Sequence, residues 1–164
     1  MKIVYEYSHL GGKQILQVDY PEVLKEVHSV IAAIDKIEKN KISKEKTSHG
    51  KLLYSPKELN EAFTAKFNSL GFHEIRDKYD IIIPNYPKII PNSYKQIDFV
   101  KDSVLVEVQF GKYAFMFYDL AKFQYFFNEN KADVGVEIVP CHNLQQQMST
   151  GVSYGEHLIM ILRG

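Results

Sequence analysis

Near the middle of the chain two runs rich in Val, Leu, Ile and Phe, QIDFV at 96–100 and VLVEVQF at 104–110, stand on either side of the residues KDS. So short a break leaves room only for a tight turn, and an antiparallel strand pair is the expected centre of the fold. Side chains alternate faces along a strand, so Leu105, Glu107 and Gln109 share one face while Val104, Val106, Val108 and Phe110 share the other. A carboxylate and an amide therefore point the same way from an otherwise apolar strand. The plain explanation is a strand with one wet face, as is common in antiparallel sheets. Asp98 supports another. It lies nine residues before Glu107, across the turn, where it can join Glu107 in one carboxylate cluster. Two carboxylates and a backbone carbonyl, such as that of Val108, form the oxygen-rich, partly hydrated site that Mg²⁺ prefers. Phosphodiester cleavage needs such a site, because the metal supplies a hydroxide near neutral pH and offsets charge on the leaving oxygen.

The rest of the chain interleaves helices and strands. KIVYEYSH and GGKQILQVDY suggest two short strands around a Gly11-Gly12 turn. A long helix follows, capped by Asp19, with Pro21 in its first turn and Val23, Leu24, Val27, Val30, Ile31, Ile34 and Ile37 at helical spacing. Residues 36–51 carry six Lys against two Glu and have little apolar periodicity. They read as a solvated loop, or as one that follows a phosphate backbone through donors such as Lys44 and Lys46.

Ser55, Pro56 and Glu58 open a second helix that stops before Gly71; Leu59, Phe63, Phe67 and Leu70 form its buried stripe and Glu61 lies off it. Pro84, Pro87 and Pro91 mark edge strands and turns. Residues 113–128, YAFMFYDLAKFQYFFN, form a buried or interface helix; DVGVEIVP is a strand, HNLQQQM a short helix, STGVSYGE a polar loop and HLIMILRG a closing strand. The expected class is α/β, a mixed central β-sheet flanked by helices.

The 164 residues, 45% of them hydrophobic, match one domain spanning 1–164. Twenty Lys and Arg balance twenty Asp and Glu, so any basic surface must be local. A single cysteine, Cys141, excludes an internal disulfide framework and suits a reducing compartment. The first residues turn polar too soon for a secretory signal, and no apolar run is long enough to span a bilayer. A soluble intracellular protein with no membrane partner is expected. There is no CxxC, HExxH, GxSxG, P-loop or GxGxxG to compete with the Asp98 and Glu107 pair.

Beyond its spacing, the segment DFVKDSVLVEVQFGKYAF resembles the active-site segment of type II restriction endonucleases of the BglII/BstYI type. These belong to the PD-(D/E)xK nuclease superfamily, with Gln in place of the terminal Lys (the ExQ variant). IVYEYSHL, SKEKTSHGKLLYSPKELNEAF, DVGVEIVP and STGVSYGE resemble further segments of the BstYI-like branch, in the same order. The resemblance implies a restriction endonuclease-like core in a prokaryotic cytoplasm, a homodimer that uses Mg²⁺ to cut both strands of a palindromic DNA site containing GATC, 5′-phosphate ends, and a partner DNA methyltransferase. Asp98 and Glu107 would be metal ligands together with the Val108 carbonyl. Gln109 would stand in for the Lys; an amide cannot act as a base, so it would only orient the attacking water.

Glu61 is a possible accessory acid, and Lys112, Ser149, Thr150, Ser153 and Arg163 are possible DNA contacts. The segment between Asp77 and Tyr94 is shorter than in enzymes with six-base sites, which keeps a four-base site open. Two other readings stay open: a structure-directed nuclease of the same superfamily, and a catalytically weak or inactive sequence-specific DNA-binding protein on the same fold.

Overall fold

The computed structural model describes residues 1–35 and 37–163. Lys36, the first lysine of the basic segment, and Gly164, the end of the expected closing strand, lie outside them. In chain order the elements are α1 (Gly12–Asp19), α2 (Pro21–Ala33), β1 (Lys41–Ile42), β2 (Leu52–Leu53), α3 (Pro56–Ser69), β3 (His73–Ile81), β4 (Ile90–Lys101), β5 (Val104–Val108), α4 (Tyr113–Asn128), β6 (Val134–Ile138), α5 (His142–Gln145) and α6 (Gly155–Leu162). The main sheet runs β3-β4-β5-β6, antiparallel except for the parallel pair of β5 and β6. It is the expected mixed sheet.

The central pair forms as expected, with Phe99 opposite Val106, Val100 opposite Leu105 and Lys101 opposite Val104. Asp102 and Ser103 make the turn at φ 48° and 66°. Two left-handed residues in succession match the twist of the strands they join. Pro84 and Pro87 lie in the β3–β4 connection. Pro91 falls in the first part of β4, which pairs only with the edge strand β3, so no ladder bond to a central strand is lost.

Helices cover both faces of β5. On one side Val23, Val27 and Val30 of α2 and Leu59, Phe63 and Phe67 of α3 pack with Phe99, Val104 and Val106. The rings of Phe67 and Phe99 stack 4.7 Å apart. On the other side Ile97, Val100 and Leu105 pack with Phe126 of α4. The face that carries Glu107 is therefore not wet: α4 covers it.

Three expectations need correction. The strands expected around Gly11 and Gly12 are absent. The left-handed Gly11 (φ 78°) instead opens α1, whose Leu16 is buried. The helix from Pro21 is capped by Tyr20 rather than Asp19, and Tyr20 adopts φ −131°, ψ 46°. Proline disfavours the α conformation in the residue before it, and this separates α1 from α2. Finally, the expected closing strand is the helix α6. A continuous apolar run does not declare its period, and here Gly155 and Leu158 face inward while Met160 and Ile161 are exposed. The basic segment also gains some order, because β1 and β2 pair as a small hairpin.

Candidate active site

The last pair of β4 and β5 is Phe99 with Val106, so Asp98 and Glu107 come next along the two strands, near enough that the Asp98 charge acts on Glu107. Against β3 the same strand changes register: Val100 faces His73, but Ile97 faces Ile75, so β4 takes three steps where β3 takes two. The extra residue is a bulge at Asp98 and Phe99, of the kind that re-aims side chains beside functional sites. Asp98 is exposed and accepts a bond from the Gln96 amide at 3.2 Å.

Glu107 is 4% exposed. One of its oxygens accepts a hydrogen bond from the Lys122 ammonium of α4. Lys122 also meets Asp119, one helical turn earlier, at 2.9 Å. The other Asp119 oxygen accepts from the Gln109 amide nitrogen at 2.7 Å, and the Gln109 carbonyl accepts from the Gly111 N–H at 2.9 Å. A chain of bonds thus runs from Glu107 through Lys122, Asp119 and Gln109 to the backbone. A Cβ at Gly111 would stand 2.5 Å from the Gln109 carbonyl oxygen, so a larger residue here would displace the Gln109 amide.

Glu137 on β6 lies directly across from Glu107 in the parallel register. Neither of its carboxyl oxygens reaches solvent or has a partner among the described residues. Burial raises its pKa to about 9, with Asp119 and Glu107 adding to the rise and Lys122 opposing it. Burial likewise raises Glu107 to about 7, against the pull of Lys122 and with further upward push from Asp98 and Asp119. For Lys122, burial favours the neutral amine, but Glu107 and Asp119 outweigh it and hold the ammonium.

Two carboxylates, Glu107 and Asp119, thus hold one cation, with Glu137 close enough for its charge to be felt by them. Carboxylate oxygens are the hard donors that a divalent ion such as Mg²⁺ takes, so the residue types fit that group. The arrangement is not a finished coordination shell: among the described residues no group of three or more His, Cys, Asp or Glu is set to hold an ion. Lys122 already binds the Glu107 carboxylate. Val108, the expected source of a carbonyl ligand, ends β5 and packs its side chain on the α3 side.

The loop after α5 joins the site from behind, where the Ser153 N–H donates to the Gly111 carbonyl at 3.0 Å. Ser149 accepts from Lys41, and the Thr150 N–H donates to Glu45 at 3.1 Å. The hairpin of β1 and β2, with exposed Lys44 and Lys46, thereby adjoins this loop, and exposed Lys112 follows Gly111 at the start of α4. Thr150 is exposed, whereas Ser153 is buried, so its hydroxyl is withdrawn from any base edge.

Two other expected residues stand apart. Glu61 lies on α3, across the sheet from Glu107, and pairs at the surface with Lys57 at 3.8 Å; α3 buries its Phe stripe and turns Glu61 outward. Arg163 donates to the Tyr5 hydroxyl at 2.9 Å, which ties it to the first residues of the chain.

Asp119, Lys122 and Glu137 were not anticipated. Their signal in the sequence was an Asp and a Lys three apart inside an aromatic helix, and a lone carboxylate in the apolar strand of DVGVEIVP.

The family described as restriction endonuclease BglII/BglIII matches residues 4–164 of the chain. A crystal structure of restriction endonuclease BglII complexed with a DNA 16-mer has a TM-score of 0.64 and 22% sequence identity, over 87% of this chain and 61% of that one. The crystal structure of free BglII gives 0.54 and 20%, over 87% and 62%. The chain thus spans about three fifths of the length of either. No curated protein matches it.

Proposed function

Because the chain belongs to the BglII/BglIII restriction endonuclease family, we propose that it is a type II restriction endonuclease, a phosphodiester hydrolase acting on double-stranded DNA. The proposal extends to the ExQ variant of the PD-(D/E)xK site, to Mg²⁺ as cofactor, and to a homodimer that cuts both strands of a palindrome containing GATC, as in the BstYI-like branch. It includes 5′-phosphate ends, and a prokaryotic cytoplasm in which a methyltransferase protects the host sites. The observation that supports it is that Asp98 and Glu107 stand just beyond the last pair of the central hairpin, with the Asp98 charge acting on Glu107 and Gln109 two residues further along the chain.

Asp98, Glu107 and the Val108 carbonyl are the residues that would hold the ion. Mg²⁺, when bound, supplies a water that ionises near neutral pH and charge to offset that on the leaving oxygen. The protein's part is orientation. Gln109 commits one N–H to Asp119 and its carbonyl to Gly111, which leaves a second N–H free to donate to a water. An amide so fixed cannot accept the proton, so Gln109 aims the nucleophile without activating it. Asp119 sets which end of the amide faces outward.

Glu107→Ala tests the reading. Cleavage should fall at least about 100-fold, while a gel-shift assay in Ca²⁺ should show DNA binding largely kept. Full cutting by the variant would remove Glu107 from the site. One observation favours an inactive DNA-binding protein instead: Lys122 occupies Glu107, and no three ligands converge among the described residues. Tight specific binding without cutting by the unmodified protein would select that reading.

A further inference from the structure

Lys122 sits in the middle of a helix whose neighbours are aromatic, and only 9% of it is exposed. An ammonium in that position is costly unless its partners are fixed. It has them in Glu107 and Asp119, with the Tyr118 ring 5.5 Å from its nitrogen. Glu107 is also the more enclosed of the two carboxylates expected to bind the divalent ion. The oxygen that accepts from Lys122 has part of its charge and one lone pair already engaged.

We infer that Lys122 is a resident counter-cation that competes with the divalent ion for Glu107. Before the ion arrives, the ammonium holds Glu107, Asp119 and, through Asp119, Gln109 in register. When the ion binds, it must draw Glu107 from this partner, and Lys122 retains Asp119. The site is therefore closed to low concentrations of divalent cation, and Lys122 is a positioning residue that sets the threshold. This inference rests on the nuclease reading only in taking Glu107 as a ligand of the ion.

The test needs no DNA and no turnover. Ca²⁺ binding is measured by titration calorimetry, and thermal melting is followed in EDTA and in millimolar Ca²⁺, for the unmodified chain and for Lys122→Met. The variant should bind Ca²⁺ about tenfold more tightly, within the usual range of coupling between two ligands, and should gain more in melting temperature from Ca²⁺. A Lys122→Met chain that folds only with Ca²⁺ also supports the inference, since the ion has replaced the ammonium. Unchanged or weaker binding overturns it, because Lys122 would then assemble the ligands without competing. A variant that folds in neither condition overturns it too. If neither protein binds a divalent ion, the failure belongs to the metal-dependent nuclease reading itself.

Discussion

Glu137 carries a proton that its residue type ordinarily gives up. Burial, with the charges of Asp119 and Glu107 nearby and no hydrogen-bond partner for either oxygen among the described residues, lifts its pKa from 4.5 to about 9. The folded chain therefore holds a proton that the unfolded chain releases over that interval. The stability this contributes is complete below pH 4.5 and is lost as pH rises toward 9, at up to about 1.4 kcal/mol per pH unit. Glu107, raised to about 7, adds a loss between 4.5 and 7. Melting temperature should thus decline across this range, and Glu137→Gln, which keeps the shape without the ionisation, should flatten the decline above pH 7. An unchanged profile in the variant would show that Glu137 ionises freely in the fold. At this scale the sequence reaches only part of the carboxylate, lysine and amide cluster. The relation of Asp98, Glu107 and Gln109 is legible because a strand's period and the tight turn at Asp102 and Ser103 fix it. Asp119, Lys122 and Glu137 come to the same place from α4 and β6, and no local spacing relates those elements to β5.

The elements themselves were legible where the period was unambiguous. The helix at 113–128 appears with the expected bounds because it is long and free of Gly and Pro, and α3 because Ser55 caps it by accepting from the Glu58 N–H. α1 and α6 were misread for different reasons: paired glycines look like a hairpin turn when the helix after them is short, and HLIMIL suits either period. How tightly α4 rests on β6 could not be read at all. A Cβ on Gly135 would lie 2.5 Å from the Phe123 ring. Gly135→Ala should therefore cost about 1–3 kcal/mol by overpacking, measured by urea unfolding. If α4 shifts to accommodate the methyl, the bonds from Lys122 and Asp119 shift with it, and cation binding should weaken as well. A neutral substitution would mean that α4 is seated less closely on the sheet.

At the scale of the molecule, equal numbers of acidic and basic residues mean that the proposed binding of DNA must come from local surfaces. The basic hairpin of β1 and β2, joined to the loop at 149–153 through Ser149 and Thr150, is the surface proposed to meet DNA. If Lys44 and Lys46 meet phosphates, replacing both with Ala should weaken DNA binding similarly across sequences. It should also reduce the slope of log affinity against log salt by about 1 for each phosphate no longer neutralised. Weakening confined to one sequence would instead make them base readers. The central claim, site-specific cleavage supported by Asp98 and Glu107, meets its most direct test in one digest. A plasmid of known sequence is incubated with the protein, with and without Mg²⁺, and the ends are sequenced. The account predicts discrete double-strand breaks only with Mg²⁺, at a shared palindrome containing GATC and with 5′-phosphate ends. Scattered nicks, breaks that follow branched structures, or no cutting despite specific binding would contradict it.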